Sequence, residues 1–543
     1  MKRRTLLATI AIVTIAGPGV ADNPAAPKPE KSSEQRALPV AGPKAGPDER
    51  TKADKSKPAP EPYPAPEAVT AAMKKAAAFF RSHVAFAGGY AWRWPKDMSI
   101  AKGEDRDSPA LIMMQPPGTP AVGLTMLHAW QVTGDRLFLQ GAKEAAQALI
   151  WCQLASGGWD SDFDFDPRVA RKYHFRRDIE AGDTERNGRH AASTLDDEKT
   201  GSALLFLLEL AHTDACKDDA GLKSALRFGL DGLLAAQAPN GGWGQHYDGP
   251  ADPARPVVKA RIPAEWPHTW PGVDYTRFYT LNDGNLLSVM RVLLRAHTLE
   301  KDARFLDAAR KLGRFLLLAQ LPEPQPAWAQ QYDDEMIPVW ARKFEPPAVS
   351  SIESATAIEA LLELWLATGE GEWVKPLPSA IAWLEKSRLP GGRWARFYEL
   401  GTNRPLYCKA QTYEVTFDDS DLPTHYGFKT DERFAKEVED LKARLAMPRD
   451  EWLRKQAPPE APKKWTSRAK GQAGKVTAAL QSAERKTGVW LVQDLIDAGE
   501  FVKNLKAMSI YVEAARKGGG TFEALRASAA SKPTAEPKPR PKP

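Results

Sequence analysis

Residues 232–243, GLLAAQAPNGGW, end an apolar helical stretch on Gly241-Gly242-Trp243. Related endings occur at ALIWCQLASGGW up to Trp159, FLLLAQLPEPQPAW up to Trp328 and AWLEKSRLPGGRW up to Trp394, spaced roughly 84, 85 and 66 residues apart. Recurrence at such intervals marks an internal repeat. Each ending is preceded by a second helical stretch, for example residues 122–133 before 137–153 and 286–297 before 303–320, joined by a short charged turn. Apolar residues recur three and four apart, as in Leu204, Leu207 and Leu208 or Leu226 and Leu230, so each helix carries one core-facing stripe. The repeating unit is an αα-hairpin. One hairpin cannot cover its own apolar face, but several side by side bury a shared centre. The expected fold is all-α: an (α/α) toroid of repeated helical hairpins with long loops at one end. Gly permits the left-handed helix end and Trp packs under the next hairpin, so the repeated tryptophans are expected to be structural.

The flanks differ. Lys2, Arg3 and Arg4 precede an apolar run that ends in Gly19-Val20-Ala21, the pattern of a signal peptide spanning residues 1–21. Residues 22–65 are Pro, Ala, Lys and Glu with few large apolar groups, a linker composition, and residues 531–543 return to it as a basic tail. Residues 66–430 hold the repeats, and 431–530 read as an appended helical extension lacking the repeat ending. No later run offers the roughly twenty apolar residues of a membrane span, so a secreted or periplasmic protein is expected. The net charge of +6 sits partly in the termini and describes no nucleic-acid face. Cys152, Cys216 and Cys408 are odd in number without metal-ligand spacing, and buried thiols are expected.

Four loop segments gather charge at predicted helix ends: residues 193–200 (STLDDEKT), 279–283 (YTLND), 328–347 (WAQQYDDEMIPVWARKFEPP) and 396–405 (RFYELGTNRP). Asp196 and Asp283 precede helices, where a carboxylate ordinarily caps the backbone. Several oxygen-rich caps converging on one toroid face would instead form a set for calcium, which takes six to eight oxygens. There is no EF-hand pattern, and the alternating Asp160, Asp162, Asp164 and Asp166 read as a solvated loop. Arg342, between Trp340 and Phe344, has the planar fork that grips carboxylates, whether of an acidic sugar or of an internal Glu.

At these segments the chain resembles the pectate lyases of polysaccharide lyase family ten, the pectic acid lyase family. The resemblance runs over about residues 88–430, on GGYAWRWPKDMS, QPPGTPAVGL, SGGWD, STLDDEKT, PNGGWGQHYDGP, YTLND, PAWAQQYDDEMIPVWARKFEPPAVSS and ARFYELGTNRPLY. It implies a secreted lyase cleaving polygalacturonate by calcium-assisted anti β-elimination. The C5 proton is weakly acidic, so calcium and cationic side chains must neutralise the adjacent carboxylate before a base removes it. The resemblance places the base on Arg342, catalytic and metal-binding carboxylates on Asp196 and Asp283, and a uronate clamp on Arg404. It implies further substrate contacts at Asp197, Lys343, Tyr398 and Trp340. The expected partner is an acidic polysaccharide, and a monomer is expected. The chain departs from the family's DNGAT pattern at Asp197, Glu198 and Lys199, and from its GRD continuation at Lys409-Ala410-Gln411.

Two other readings stay open. An exported glycan-binding toroid without turnover fits the altered stretch at residues 197–199. Gln153-Gly157-Trp159 and Gln237-Gly241-Trp243 also resemble triterpene cyclase repeats, although Leu195-Asp196-Asp197 lacks the leading Asp of the cyclase acid motif.

Overall fold

The computed structural model describes residues 62–530; the signal-peptide pattern, residues 22–61 of the linker and the basic tail lie outside the described residues. The helices in chain order are α1 (Pro66–Phe79), α2 (Thr119–Thr133), α3 (Arg136–Cys152), the short α4 (Pro167–Ala170) and α5 (Arg176–Glu180), α6 (Lys199–Ala211), α7 (Ala220–Ala235), α8 (Asn285–Glu300) and α9 (Ala303–Ala319). They continue with α10 (Ser351–Thr368), α11 (Leu377–Lys386), α12 (Glu432–Ala446), α13 (Arg449–Gln456), α14 (Pro462–Ser482), α15 (Ala498–Gly518) and α16 (Gly520–Ala530). The pairs α2/α3, α6/α7, α8/α9 and α10/α11 are the expected hairpins, and the fold is an (α/α) toroid.

The first helix of each hairpin is buried nearly all round. In α6, Lys199, Thr200, Gly201, Ala203, Leu204, Phe206, Leu207, Leu208, Leu210 and Ala211 are all buried, as expected of an inner wall. The inner helices touch in the order α15, α2, α6, α8, α10, α12. The second helices pack outside with one apolar stripe, and Asp135, Asp219 and Asp302 cap α3, α7 and α9 by accepting from the first-turn backbone N–H groups.

The repeated Trp is a lock. Its indole N–H donates to a carbonyl ten or twelve residues earlier: Trp159 to Leu149 (2.9 Å), Trp243 to Leu233 (2.9 Å), Trp328 to Leu316 (2.8 Å) and Trp394 to Leu384 (2.6 Å). The preceding Gln is the second part. Gln153 donates to Gly157 O and Ala225 O, and Gln237 to Gly241 O and Ala308 O, so each outer helix is tied to the next. Gly241 sits at φ +95, and a Cβ there would lie 2.0 Å from the Lys311 carbonyl oxygen, so the close approach requires glycine. The Gln-x-x-x-Gly-x-Trp pattern is thereby accounted for by packing.

Residues 431–530 carry the same device without its spelling: Trp490 donates to Ala479 O at 2.9 Å beyond the end of α14. Helix α15 packs on α2 and α1, and the strand Leu495–Asp497 pairs with Arg93–Trp94 after α1. The two ends of the described chain thus share one hairpin. Pro64, assigned to the linker by composition, accepts from Tyr511 Oη at 2.7 Å, and Tyr63 O accepts from Arg526. The three cysteines are buried and free. Among the described residues no helix is long and apolar enough to cross a membrane.

Trp243→Ala removes a fully buried indole and its carbonyl bond, and should lower unfolding stability by about 3–5 kcal/mol in a denaturant titration.

Candidate functional site

Inner helices run parallel, so their N-terminal ends open on one face of the toroid. There each hairpin pairs the entry to its inner helix with the exit from its outer helix: Ser193–Thr194 with His246–Tyr247, Tyr279–Thr280 with Gln331–Tyr332, and Val349–Ser350 with Phe397–Tyr398. Two entry loops are copies of one turn. Asp197 (φ 47) and Glu198 (φ 60) correspond to Asp283 (φ 48) and Gly284 (φ 75), each in a left-handed turn that Asp tolerates better than most residues. Neither Asp196 nor Asp283 caps its helix, unlike Asp135, Asp219 and Asp302. Their carboxylates are left for other work.

Carboxylate oxygens of Asp196, Asp197 and Asp283 lie within 4.8 Å of one another. Partial burial, together with the neighbouring carboxylates, pushes Asp197 up to about 7; loss of hydration at the crowded mouth and the Asp196 charge, opposed by Arg396, push Asp283, whose side chain is still 33% exposed, up to about 6. Two cations oppose them. Lys199, 5% exposed in its side chain, places Nζ 2.9 Å from Asp196 Oδ2 and 3.7 Å from Asp197 Oδ2. Arg396 donates through Nη2 to Asn282 Oδ1 (2.9 Å), Glu353 Oε1 (2.9 Å) and Asp283 Oδ1 (3.4 Å).

Arg342 sits on the same face, near enough for the Asp283 charge to act on it. Its guanidinium forms a two-pronged pair with the buried Glu345, Nε to Oε2 at 2.9 Å and Nη2 to Oε1 at 2.6 Å, while Tyr426 Oη donates to the same Oε1 at 2.9 Å. Burial alone would pull the Arg342 pKa down, but the Glu345 pair outweighs it and holds the guanidinium more firmly protonated. Glu104 is a further acid here, its carboxyl lifted by burial against the charge of Lys199.

The other expected contacts divide. Lys343 is exposed above the Tyr413 ring at 4.1 Å, and Arg404 lies exposed on the Phe417 ring at 3.4 Å. Tyr398 and Trp340 are 1% and 2% exposed, with Tyr398 Oη bonded to Ser387 O and Trp340 Nε1 to Pro267 O, so they brace the wall and present no face to a sugar. The solvated-loop reading of the acidic run also fails: Asp164 is buried, and Asp160 and Asp162 pair with His190 and Arg106, because Asp162–Asp164 forms a strand against Leu111–Met113. Sequence marks Lys199 only as a departure from the family pattern and gives Arg396, Glu104 and Glu353 no role. Arg396 had a signal, since it follows Trp394 by two positions as Gln245 follows Trp243 and Gln330 follows Trp328.

Calcium is the ion the resemblance implies, and the donor set suits a hard divalent cation: three carboxylates whose oxygens lie within 4.8 Å of one another. In chelator, the folded chain keeps protons on Asp197 and Asp283 that unfolded carboxylates lose near about pH 4. Stability should therefore fall as pH rises from about 4 towards 7, and Asp197→Asn should flatten that decline in melting-temperature measurements across the window.

The family model for pectic acid lyase matches residues 153–393, which include Asp196, Asp197, Lys199, Asp283 and Arg342. No curated protein sequence matches the chain. Among solved structures, a point mutant of the family 10 polysaccharide lyase from Cellvibrio cellulosa, in complex with trigalacturonic acid, is 18% identical over 60% of this chain and 98% of that one, with a TM-score of 0.41. A D-mannose isomerase is 12% identical over 84% and 99%, TM-score 0.42. An inactive α-1,6-mannanase variant from Salegentibacter is 10% identical over 83% and 100%, TM-score 0.37. Through residues 153–393 the chain carries the pattern of the pectic acid lyase family, and its class by that match is polysaccharide lyase.

Proposed function

We propose that the protein is a secreted lyase that cleaves polygalacturonate or a closely related polyuronate by anti β-elimination. The observation that carries this reading is the gathering of Asp196, Asp197 and Asp283 with Lys199 and Arg342, all within the segment matching the family, and with Arg396 just beyond its end, at one mouth. A polyanionic chain needs cations at such a mouth, and abstraction of a C5 proton needs the adjacent carboxylate neutralised. Lys199 and Arg396 hold fixed positive charge at that mouth, and Lys343 and Arg404 extend it along the rim. A bound calcium ion, held by Asp196, Asp197 and Asp283, would add charge neutralisation.

Proton removal is assigned to Arg342 on the resemblance, and Glu345 works against it. A neutral guanidine would leave the buried Glu345 without its cation, with only Tyr426 Oη and the Arg342 backbone N–H donating to it, so the pair has to loosen when substrate binds. Once a base takes the C5 proton, the electrons form the C4–C5 double bond, the C4–O4 bond breaks with its electron pair going to O4, and the departing O4 takes a proton from water. Export rests on the basic and apolar pattern of residues 1–21.

The test is ultraviolet detection of unsaturated uronides from polygalacturonate, with added calcium and with chelator. Calcium-dependent product supports the lyase, whereas binding without product under either condition favours the glycan-binding alternative. Arg342→Lys should lower kcat by at least about 100-fold with an unchanged melting temperature. Glu345→Gln should move the alkaline rise of kcat to lower pH; an unmoved rise removes Arg342 as the base.

A further inference from the structure

The two copied turns differ at one decisive position. In Thr280-Leu281-Asn282-Asp283-Gly284-Asn285 the residue that opens α8 is neutral, whereas in Thr194-Leu195-Asp196-Asp197-Glu198-Lys199 the residue that opens α6 is a cation. Lys199 does not extend into solvent as lysines usually do. It is buried, with its ammonium 2.9 Å from Asp196 and 3.7 Å from Asp197, two of the three carboxylates that the lyase reading gives to a divalent ion. The Glu104 carboxylate acts on it from the loop between the strands Ala101–Lys102 and Asp107–Ser108.

We propose that Lys199 is a resident cation of this site: its ammonium and a divalent ion compete for Asp196 and Asp197, so ion affinity is set by Lys199. The physical reason is simple. An ammonium bonded to one carboxylate and facing a second neutralises charge that would otherwise attract the ion, and it repels the ion at close range. Its ion pairs reach Asp196 and Asp197 and not Asp283, the third carboxylate of the cluster, so the ion is weakened rather than excluded. The inference rests on the lyase reading only for the identity of the ion.

The test is calorimetric titration of the full chain with calcium chloride. Lys199→Met should lower the calcium Kd at least tenfold, while Lys199→Arg, which keeps the charge, should remain as weak as wild type. A smaller gain for Lys199→Met overturns the proposal. Should Lys199→Met fail to give a wild-type circular dichroism spectrum, Lys199→Gln, which keeps a donor for Asp196, is held to the same tenfold criterion. Adding Asp283→Asn to the neutral variant should abolish the gain, and its persistence overturns the placement of the ion. The two ideas fail separately. Tighter calcium binding without any uronide product sinks the lyase reading alone, and uronide product with unaltered calcium affinity sinks the role of Lys199 alone.

Discussion

The structure depends on what happens at the end of each outer helix. The indole N–H of the repeated Trp returns to the helix it leaves, and its own carbonyl then accepts from the entry loop of the next inner helix: Thr194 N to Trp159 O (2.8 Å), Thr280 N to Trp243 O (3.1 Å), Ser350 N to Trp328 O (2.8 Å). Buried main-chain groups have to be paired, and this arrangement pairs them across hairpins. One residue type therefore fixes both the packing of a hairpin and the height of the neighbouring loop.

That height decides the site. Two positions after the Trp, the backbone carbonyls of Gln245, Gln330 and Arg396 accept from Leu195, Leu281 and Ser351. The repeat thus brings three equivalent side chains inward at one level, and the chain uses that level differently each time. Gln245 and Gln330 keep buried amide atoms without protein partners, and Arg396 reaches Asn282, Glu353 and Asp283. Symmetric scaffolding carries asymmetric chemistry.

Electrostatically the mouth is a balance between crowded acids and tethered bases. Asp197 and Asp283 keep protons far above the ordinary carboxylate range because burial and their neighbours disfavour charge, even with Lys199 and Arg396 alongside. Arg342 stands in the opposite condition, held protonated by Glu345 against its burial. On the proposed lyase reading a substrate carboxylate would meet a guanidinium already held by Glu345, and on the proposal for Lys199 an entering cation would meet two carboxylates already faced by an ammonium.

Sequence by itself determined the helical repeat, because apolar spacing and the Gly-x-Trp endings are local properties of the chain. It also marked Asp196, Asp197, Asp283 and Arg342, since their motifs are contiguous. It misplaced Tyr398 and Trp340, because an aromatic in a charged loop reads alike whether it faces a groove or the wall behind it. It missed the lock at Trp490, where Glu484 stands in the place of the Gln and the preceding helix is rich in Lys and Gln, although Gly488-Val489-Trp490 keeps the Gly-x-Trp ending and the bond is the same. Only the tertiary structure decided that Lys199 turns into the acidic cluster, that Arg396 reaches Asp283 across 113 residues of sequence, and that α1 and α15 complete one hairpin from the two ends of the described chain. The reason is physical: periodicity tells which face of a helix is buried, but which charges meet at the mouth of a ring is set by how neighbouring hairpins stack.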